Sequence, residues 1–361
     1  MILKKILIVA GLLDSGDIPL IIKENLVKLN YICEFLPVDE NLPYKERYLH
    51  KIGRRYSWIN LFLFSQRLYK KISIFQPNLL FVYGSNWSIL PQTLGKIKRN
   101  LGCKIILWEG NLQFWRWFQG ELLRYYDYIF VNDSYALPLL KGPAQLKNVI
   151  HFPGCICDPD IHKPLELSEE ERNHYGSDIG FIGMGHPDRI EFFEKLTEFS
   201  LKLWGKQWDK SDKLKKYFVN EPVGLNEKIK IYQATKININ IQSNKYQIDG
   251  ISAKIFEIAG CSGFFLTEKK KDLSLFFKDE EDLISFNSID DLKEKINHYL
   301  SNPQERISLS NKIREKVITN YTYKIKLKEM MNYVLDKTHL YHLLVLKTSY
   351  ILCISRKYSN Y

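Results

Sequence analysis

Cysteine is sparse and dispersed in this 361-residue chain, at Cys33, Cys103, Cys155, Cys157, Cys261 and Cys353. That spacing reads as free core thiols in a reducing cytoplasm, not as a disulfide framework. Cys155 and Cys157 stand close, but no second Cys/His cluster answers them at zinc-site spacing, so no metal site is expected. The N-terminus carries Lys4, Lys5 and an apolar run over 6–13, yet lacks the small-residue cleavage site of a signal peptide. A buried strand followed by a glycine loop explains it better, and the expected compartment is the cytoplasm. No apolar run is comfortably long enough to span a bilayer. The tail, "THLYHLLVLKTSYILCISRKYSNY", is apolar for roughly 17 residues, at the lower limit, with Lys347 near its middle. It reads as a helix docked on the first domain, or one lying peripherally at the inner face of a membrane. Neither half shows a helix-turn-helix or RNA-binding signature, so nucleic acid is not an expected partner.

Acid is in short supply. Against 52 Lys and Arg stand 41 Asp and Glu, a formal charge of +11, which fits an anionic partner without choosing among nucleotide phosphate, membrane surface and nucleic acid. Hydrophobic content of 45% gives ample material for cores, and the length implies two domains, because single cores rarely grow far beyond about 250–300 residues.

Short apolar strands alternate with helices. Strands are predicted at 6–10, 32–36, 79–83, 105–108, 128–132 and 149–152, and helices near 20–29, 58–75, 89–100 and 114–125. Such continuously apolar strands belong in a parallel sheet covered on both faces. A proline- and acid-rich connection follows, and the alternation restarts at residue 179, with strands at 179–182, 201–204, 237–241, 264–267 and 283–286. The fold class is α/β with two doubly wound, Rossmann-like units facing across a cleft. The expected division is a first unit at 1–160, a linker at 161–177, a second unit at 178–320, and C-terminal helices and tail at 321–361.

Ligands gather at the carboxyl ends of such strands. In the first unit those ends offer Gly11, Asp14, Glu109 and Asp133. By position Glu109 is a helix N-terminal acid; by the glycosyltransferase resemblance that follows, it would orient the acceptor or act as general base. In the second unit, "DIGFIGMGHPDR" gives a strand, a Gly183-Met184-Gly185 turn and a helix beginning near Pro187. The third glycine of the dinucleotide fingerprint is missing, with Asp188 in its place, and no ribose-binding acid follows about 20 residues on. NAD is therefore disfavoured, whereas a diphosphate at the helix N-terminus with Arg189 nearby is not. In "DGISAKIFEIAGCSGFFLT", Ser252 suits an N-cap, and Lys254 and Glu257 lie three apart on one helix face. "WEGNLQFWRWFQGELLRYYDY" concentrates aromatic residues that suit core, a sugar-stacking acceptor wall or an interfacial helix.

Asp249 and Glu257, separated by seven residues, resemble a variant of the E-x7-E pattern of retaining GT-B glycosyltransferases. The stretch from Asp249 to Cys261 is similar to the D-G-I-N-x-R-x-F-E-x-A-A-C-G wording of the branch related to the spore-maturation protein CgeB. Three further segments, "FPGCICDPDIHKP", "DIGFIGMGHPDRIEFF" and "YLSNPQERISLSNKIREKVITNYTYKIKLKEMM", resemble it too. The resemblance implies a metal-independent transferase without a cofactor. It would move sugar from a nucleoside-diphosphate donor to a glycan, a lipid-linked glycan or a protein. By the same resemblance Glu257 would hold ribose hydroxyls, Lys254 and Arg189 would face the diphosphate against Gly183 and Gly185, and Asp249 and Ser252 would lie near the donor sugar. Lys254 stands where Arg is commoner, and Ser252 and Asp249 replace Asn and Glu. A sugar-nucleotide epimerase and a non-catalytic glycan- or partner-binding module are the alternatives. Consistent with the metal-independent reading, no D-x-D is placed at a strand end.

Overall fold

The computed structural model describes residues 4–11, 18–38, 57–84, 88–109, 119–142, 144–154, 156–221, 223–242 and 247–336. Asp14, most of the 108–118 aromatic stretch and the tail beyond residue 336 lie outside them. Two six-stranded parallel sheets form the frame. The first contains β1 (Lys5–Ala10), β2 (Ile32–Pro37), β3 (Leu79–Tyr83), β4 (Lys104–Glu109), β5 (Tyr128–Val131) and β6 (Val149–His151), in the order β2-β1-β3-β4-β5-β6. Its centre is apolar on both faces: Ile6 to Ala10 are wholly buried, which is why these strands read as runs and not as alternations.

The second sheet contains β7 (Ile179–Ile182), β8 (Leu201–Trp204), β9 (Phe218–Val219), β10 (Ile237–Asn240), β11 (Phe265–Glu268) and β12 (Ser285–Phe286), in the order β12-β11-β10-β7-β8-β9. Each sheet reverses direction beside its first strand, between β1 and β3 and between β7 and β10, so the crevice at the end of β7 is where a ligand is expected. β9 was not anticipated, because two residues carry no periodicity. The expected strand at 283–286 is shortened by a helix at Glu281–Ile284, whose first turn holds Glu281 and Asp282 where the helix dipole favours them. The expected linker likewise contains a helix, Glu169–Tyr175, started by a capping box in which the Ser168 hydroxyl and Glu171 carboxylate each accept the other's backbone N–H.

The chain passes between the domains twice, and the passages run side by side. Cys157 N–H donates to the Tyr321 carbonyl at 3.0 Å, and Tyr323 N–H donates to the Cys157 carbonyl at 3.0 Å. The helix Tyr323–Met331 then buries Leu327, Met330 and Met331 against Ile22 and Leu26 of the first domain. Beside it, Asn25 Nδ2 donates to Asp158 Oδ2 at 2.7 Å. Cys103, Cys157 and Cys261 are buried free thiols and Cys33 is a partly buried one; burial pushes the Cys157 thiol up to about 12. A cavity of about 520 Å³ near Lys4, Asn78 and Lys104 lies at the amino ends of the first sheet, away from the strand ends that face the second domain.

Candidate active site

β7 ends beneath the glycine turn, and the turn is closed by backbone contacts. Gly183 N–H donates to the Trp204 carbonyl and Gly185 N–H to the Lys206 carbonyl, each at 2.8 Å, while Trp208 Nε1 donates to the Gly183 carbonyl at 2.8 Å. The two glycine amides are therefore spent inside the fold, so a diphosphate lying against this turn would be met by side chains and not by these N–H groups. Space is what these glycines provide. A Cβ on Gly183 would come within 2.7 Å of the Phe181 ring, and one on Gly185 within 2.9 Å of the Gln207 carbonyl.

Lys254 opens the helix Lys254–Gly260 and reaches back to β7. Its Nζ donates to the Ile182 carbonyl at 2.7 Å and sits 4.8 Å from the centre of the Phe181 ring. The Arg189 guanidinium lies over the same ring at 5.1 Å, and its Nη1 donates to the Met184 carbonyl at 3.1 Å. Burial, reinforced by Arg189 and opposed by Glu257, lowers the Lys254 ammonium to about 8. Two cations thus share one aromatic ring at the crevice, an arrangement that a multiply charged anion would stabilise. Ser252 Oγ accepts the Lys254 N–H at 3.2 Å and so steadies the entry to this helix.

One turn later Glu257 pairs with Lys228, Oε2 to Nζ, at 3.0 Å, and Tyr232 Oη approaches the same oxygen at 3.5 Å. Burial alone would raise the Glu257 carboxyl, but Lys228, His162 and Lys254 outweigh it and hold the group below the usual range. Burial also pushes His162 down, against the pull of Glu257; its Nδ1 accepts the Asp158 N–H at 3.1 Å, which assigns the remaining proton to Nε2. Lys228, Tyr232 and His162 were not singled out in the sequence. His162 lies within the quoted "FPGCICDPDIHKP" segment, whereas Lys228 and Tyr232 carry no motif and become visible only when their helix packs beside Glu257.

Across the cleft, the acids assigned to acceptor work divide. Gly11 closes β1 and is buried. Glu109 ends β4 and is 4% exposed. Burial first, then the Glu109 and Glu257 carboxylates, oppose ionisation of the Tyr83 phenol, whose ring meets Trp108 edge-on at 5.5 Å. Asp133 does something else. Its Oδ1 accepts the N–H of Tyr135 at 2.9 Å and of Asp249 at 3.2 Å, and its Oδ2 accepts the N–H of Ile248 at 2.7 Å. With both oxygens occupied by backbone and only 2% of the residue exposed, Asp133 is a bond between the domains and not an acceptor-side base. Asp249 in turn accepts from Ser134 Oγ at 3.3 Å and from Lys271 Nζ at 3.2 Å. Among the described residues no cluster of three or more His, Cys, Asp or Glu has the geometry to hold a metal ion.

Residues 189–332 match the model of a family described as glycosyl transferase-like. The spore protein CgeB of Bacillus subtilis (strain 168) is 24% identical over 274 residues, covering 70% of this chain and 81% of CgeB. Two solved structures share the fold over nearly the whole chain. Sucrose-phosphate synthase from Thermosynechococcus elongatus aligns with a TM-score of 0.63 at 12% identity, over 91% of this chain and 98% of its own. A trehalose-6-phosphate protein from E. coli, solved with UDP-2-fluoro glucose, gives 0.64 at 11%, over 92% and 99%.

Proposed function

We propose that this chain, a GT-B glycosyltransferase by its family match and fold, transfers sugar from a nucleoside-diphosphate donor to a hydroxyl acceptor: a glycan, a lipid-linked glycan or a protein. The observation that carries the donor reading is the pair of cations on Phe181, Lys254 at 4.8 Å and Arg189 at 5.1 Å, beside an ionised Glu257. The diphosphate lies against Lys254 and Arg189, and the ribose hydroxyls donate to Glu257. Charge that develops on the departing diphosphate is then met by side-chain cations already in place, so the reaction runs without a metal. Asp249 lies at the donor sugar, and Glu109 orients the acceptor or takes its proton. Work at the inner face of a membrane, as a cytoplasmic peripheral protein, fits the exposed Phe62, Leu63 and Ile74 on the helix Ser57–Phe75. Among the described residues no helix is long and apolar enough to cross a membrane.

Thermal-shift titration with UDP, GDP and ADP, followed by assays of donor hydrolysis with sugars of whichever nucleotide binds, tests this reading. Stabilisation by one nucleotide together with release of that nucleotide from its sugar supports a transferase. Stabilisation by none of the three removes the donor reading.

A further inference from the structure

The corner after β5 makes contacts that the donor site does not require for its own integrity. Asn132 is fixed first: its Oδ1 accepts Trp108 Nε1 at 2.8 Å and Gly154 N–H at 3.0 Å. Asp133 and Ser134 then reach over the cleft. Asp133 accepts the amides of Ile248 and Asp249. Ser134 Oγ donates to Asp249 Oδ2, while Ser134 N–H donates to Asp272 Oδ2 at 3.0 Å, an oxygen that also faces His151 Nε2 at 3.2 Å. Asp272 N–H returns to the Asp249 carbonyl at 3.0 Å. Gly250 allows the approach, since a Cβ there would stand 3.2 Å from both the Asn132 carbonyl and the Asp133 side chain. Asp249 is thereby gripped at its amide, its carbonyl and its carboxylate; the amide grip comes from the other domain, and the carboxylate is shared between Ser134 of that domain and Lys271 Nζ of its own at 3.2 Å.

We propose that Ser134 and Asp133 are positioning residues, through which the acceptor-side domain sets the orientation of the Asp249 carboxylate toward the donor sugar. This inference rests on the donor-site reading above. It separates two jobs. Lys254, Arg189 and Glu257 bind the nucleotide from within the second domain, whereas the aim of Asp249 depends on the first. An exposed side chain held by nothing but its own backbone would sample several rotamers, and a misplacement of about 1 Å can cost roughly 100-fold in rate. Lys271 alone would leave that carboxylate one flexible side-chain partner on its own domain; the Ser134 hydroxyl from the opposite wall completes its aim and so ties donor chemistry to the meeting of the two walls.

The test uses the full chain with UDP, GDP and ADP as binding probes, and the corresponding nucleotide sugars for turnover. For Ser134→Ala, the Kd of the nucleotide that binds is expected to stay within about twofold while kcat for donor hydrolysis falls about tenfold or more. Ser134→Thr, which keeps the hydroxyl, is expected to restore most of it. In Asp133→Asn the amides of Ile248 and Asp249 are expected to exchange hydrogen faster, with those of Gly183 and Gly185 unchanged. Unreduced kcat in Ser134→Ala with normal nucleotide binding overturns this inference and leaves the donor site standing, as does a Thr variant no better than Ala. Failure of the wild-type chain to bind any of UDP, GDP and ADP overturns both.

Discussion

Asp249 and Glu257 lie eight positions apart in the sequence but belong to differently built surroundings. Glu257 is embedded within one domain, its charge balanced by Lys228 from the neighbouring helix and by Lys254 one turn back. Asp249 sits on a loop whose amide is held by Asp133 of the other domain. The first arrangement is preformed and electrostatic, and persists whatever the first domain does. The second has contacts from its own domain, Lys271 and the Asp272 amide, and is completed only where the domains meet. Binding and orientation are therefore physically separable in this fold, and substitutions on the two sides have different signatures.

The sharpest way to break that separation is at Glu257. On the proposed donor reading, Glu257→Ala removes the acceptor for the ribose hydroxyls, and it leaves Lys228 without its carboxylate. Losing a charged hydrogen-bond partner costs about 1.5–3 kcal/mol, so nucleotide Kd should rise roughly 10- to 150-fold, measured by calorimetry. Stability should fall by less than the roughly 3–5 kcal/mol of a fully buried broken pair, because both side chains keep some exposure to water. A variant that melts like wild type and binds UDP or GDP equally well would place the nucleotide elsewhere.

Lys254 gives the next effect, and it is readable by pH. Its ammonium titrates near 8, depressed by burial and by Arg189. Below that pH the cation is present for a diphosphate; above it, nucleotide Kd should rise by up to about tenfold per pH unit until the bound-state value is reached. Stability of the unliganded protein should move the other way. Between about 8 and the unfolded value of 10.5 the unfolded chain holds the proton that the folded chain has released, so stability rises with pH across that window. Lys254→Met should flatten both curves in calorimetric and thermal-melt series from pH 7 to 10.5, and should weaken nucleotide binding about tenfold at pH 7.

Much of this architecture was legible. The apolar runs marked nearly every long strand, because a parallel strand buried on both faces has no polar side to blur it. The restart of the alternation at residue 179 located the second sheet, and Lys254 and Glu257 do share one helix, with Lys254 reaching back to β7. What the sequence concealed was partnership. Lys228 reaches Glu257 from a helix more than twenty residues away, and nothing in "LNEKIKIYQA" distinguishes it from Lys230, which pairs with Glu171 instead. Asp133 looked like an acceptor-side acid because strand-end carboxylates often are; only the approach of residues 248 and 249 turns it into a bond between domains. The glycines of the 183–185 turn hid their packing for a related reason. Their spacing resembles a phosphate loop, but their amides close a turn against residues 204–206, and close packing is what excludes a side chain there.

Gly185 and Gly250 extend the comparison to stability. Gly185→Ala would press a methyl group to 2.9 Å from the Gln207 carbonyl and 3.0 Å from the Trp208 ring, both in the packed interior of the donor domain. Overpacking of that kind costs about 1–3 kcal/mol, expected as a lower melting temperature with weaker nucleotide binding.

Gly250→Ala should be milder and differently distributed. The added methyl would meet the Asn132 carbonyl and the Asp133 Cβ and Cγ at 3.2 Å, contacts that a shift of a few tenths of an ångström relieves. The atoms that must yield belong to the other domain, so the relief comes from parting the two surfaces. Asp133 would then hold the Ile248 and Asp249 amides less well, and Ser134 would lose its 3.3 Å reach to the carboxylate. The expected cost in stability is about 1 kcal/mol, at the low end for overpacking, with nucleotide Kd unchanged and donor turnover reduced several-fold. Calorimetry, thermal melts and donor hydrolysis on the same preparation separate these outcomes. A Gly250→Ala protein that loses nucleotide affinity in step with turnover would mean that the two carboxylates form one cooperative site, contrary to the division drawn between them.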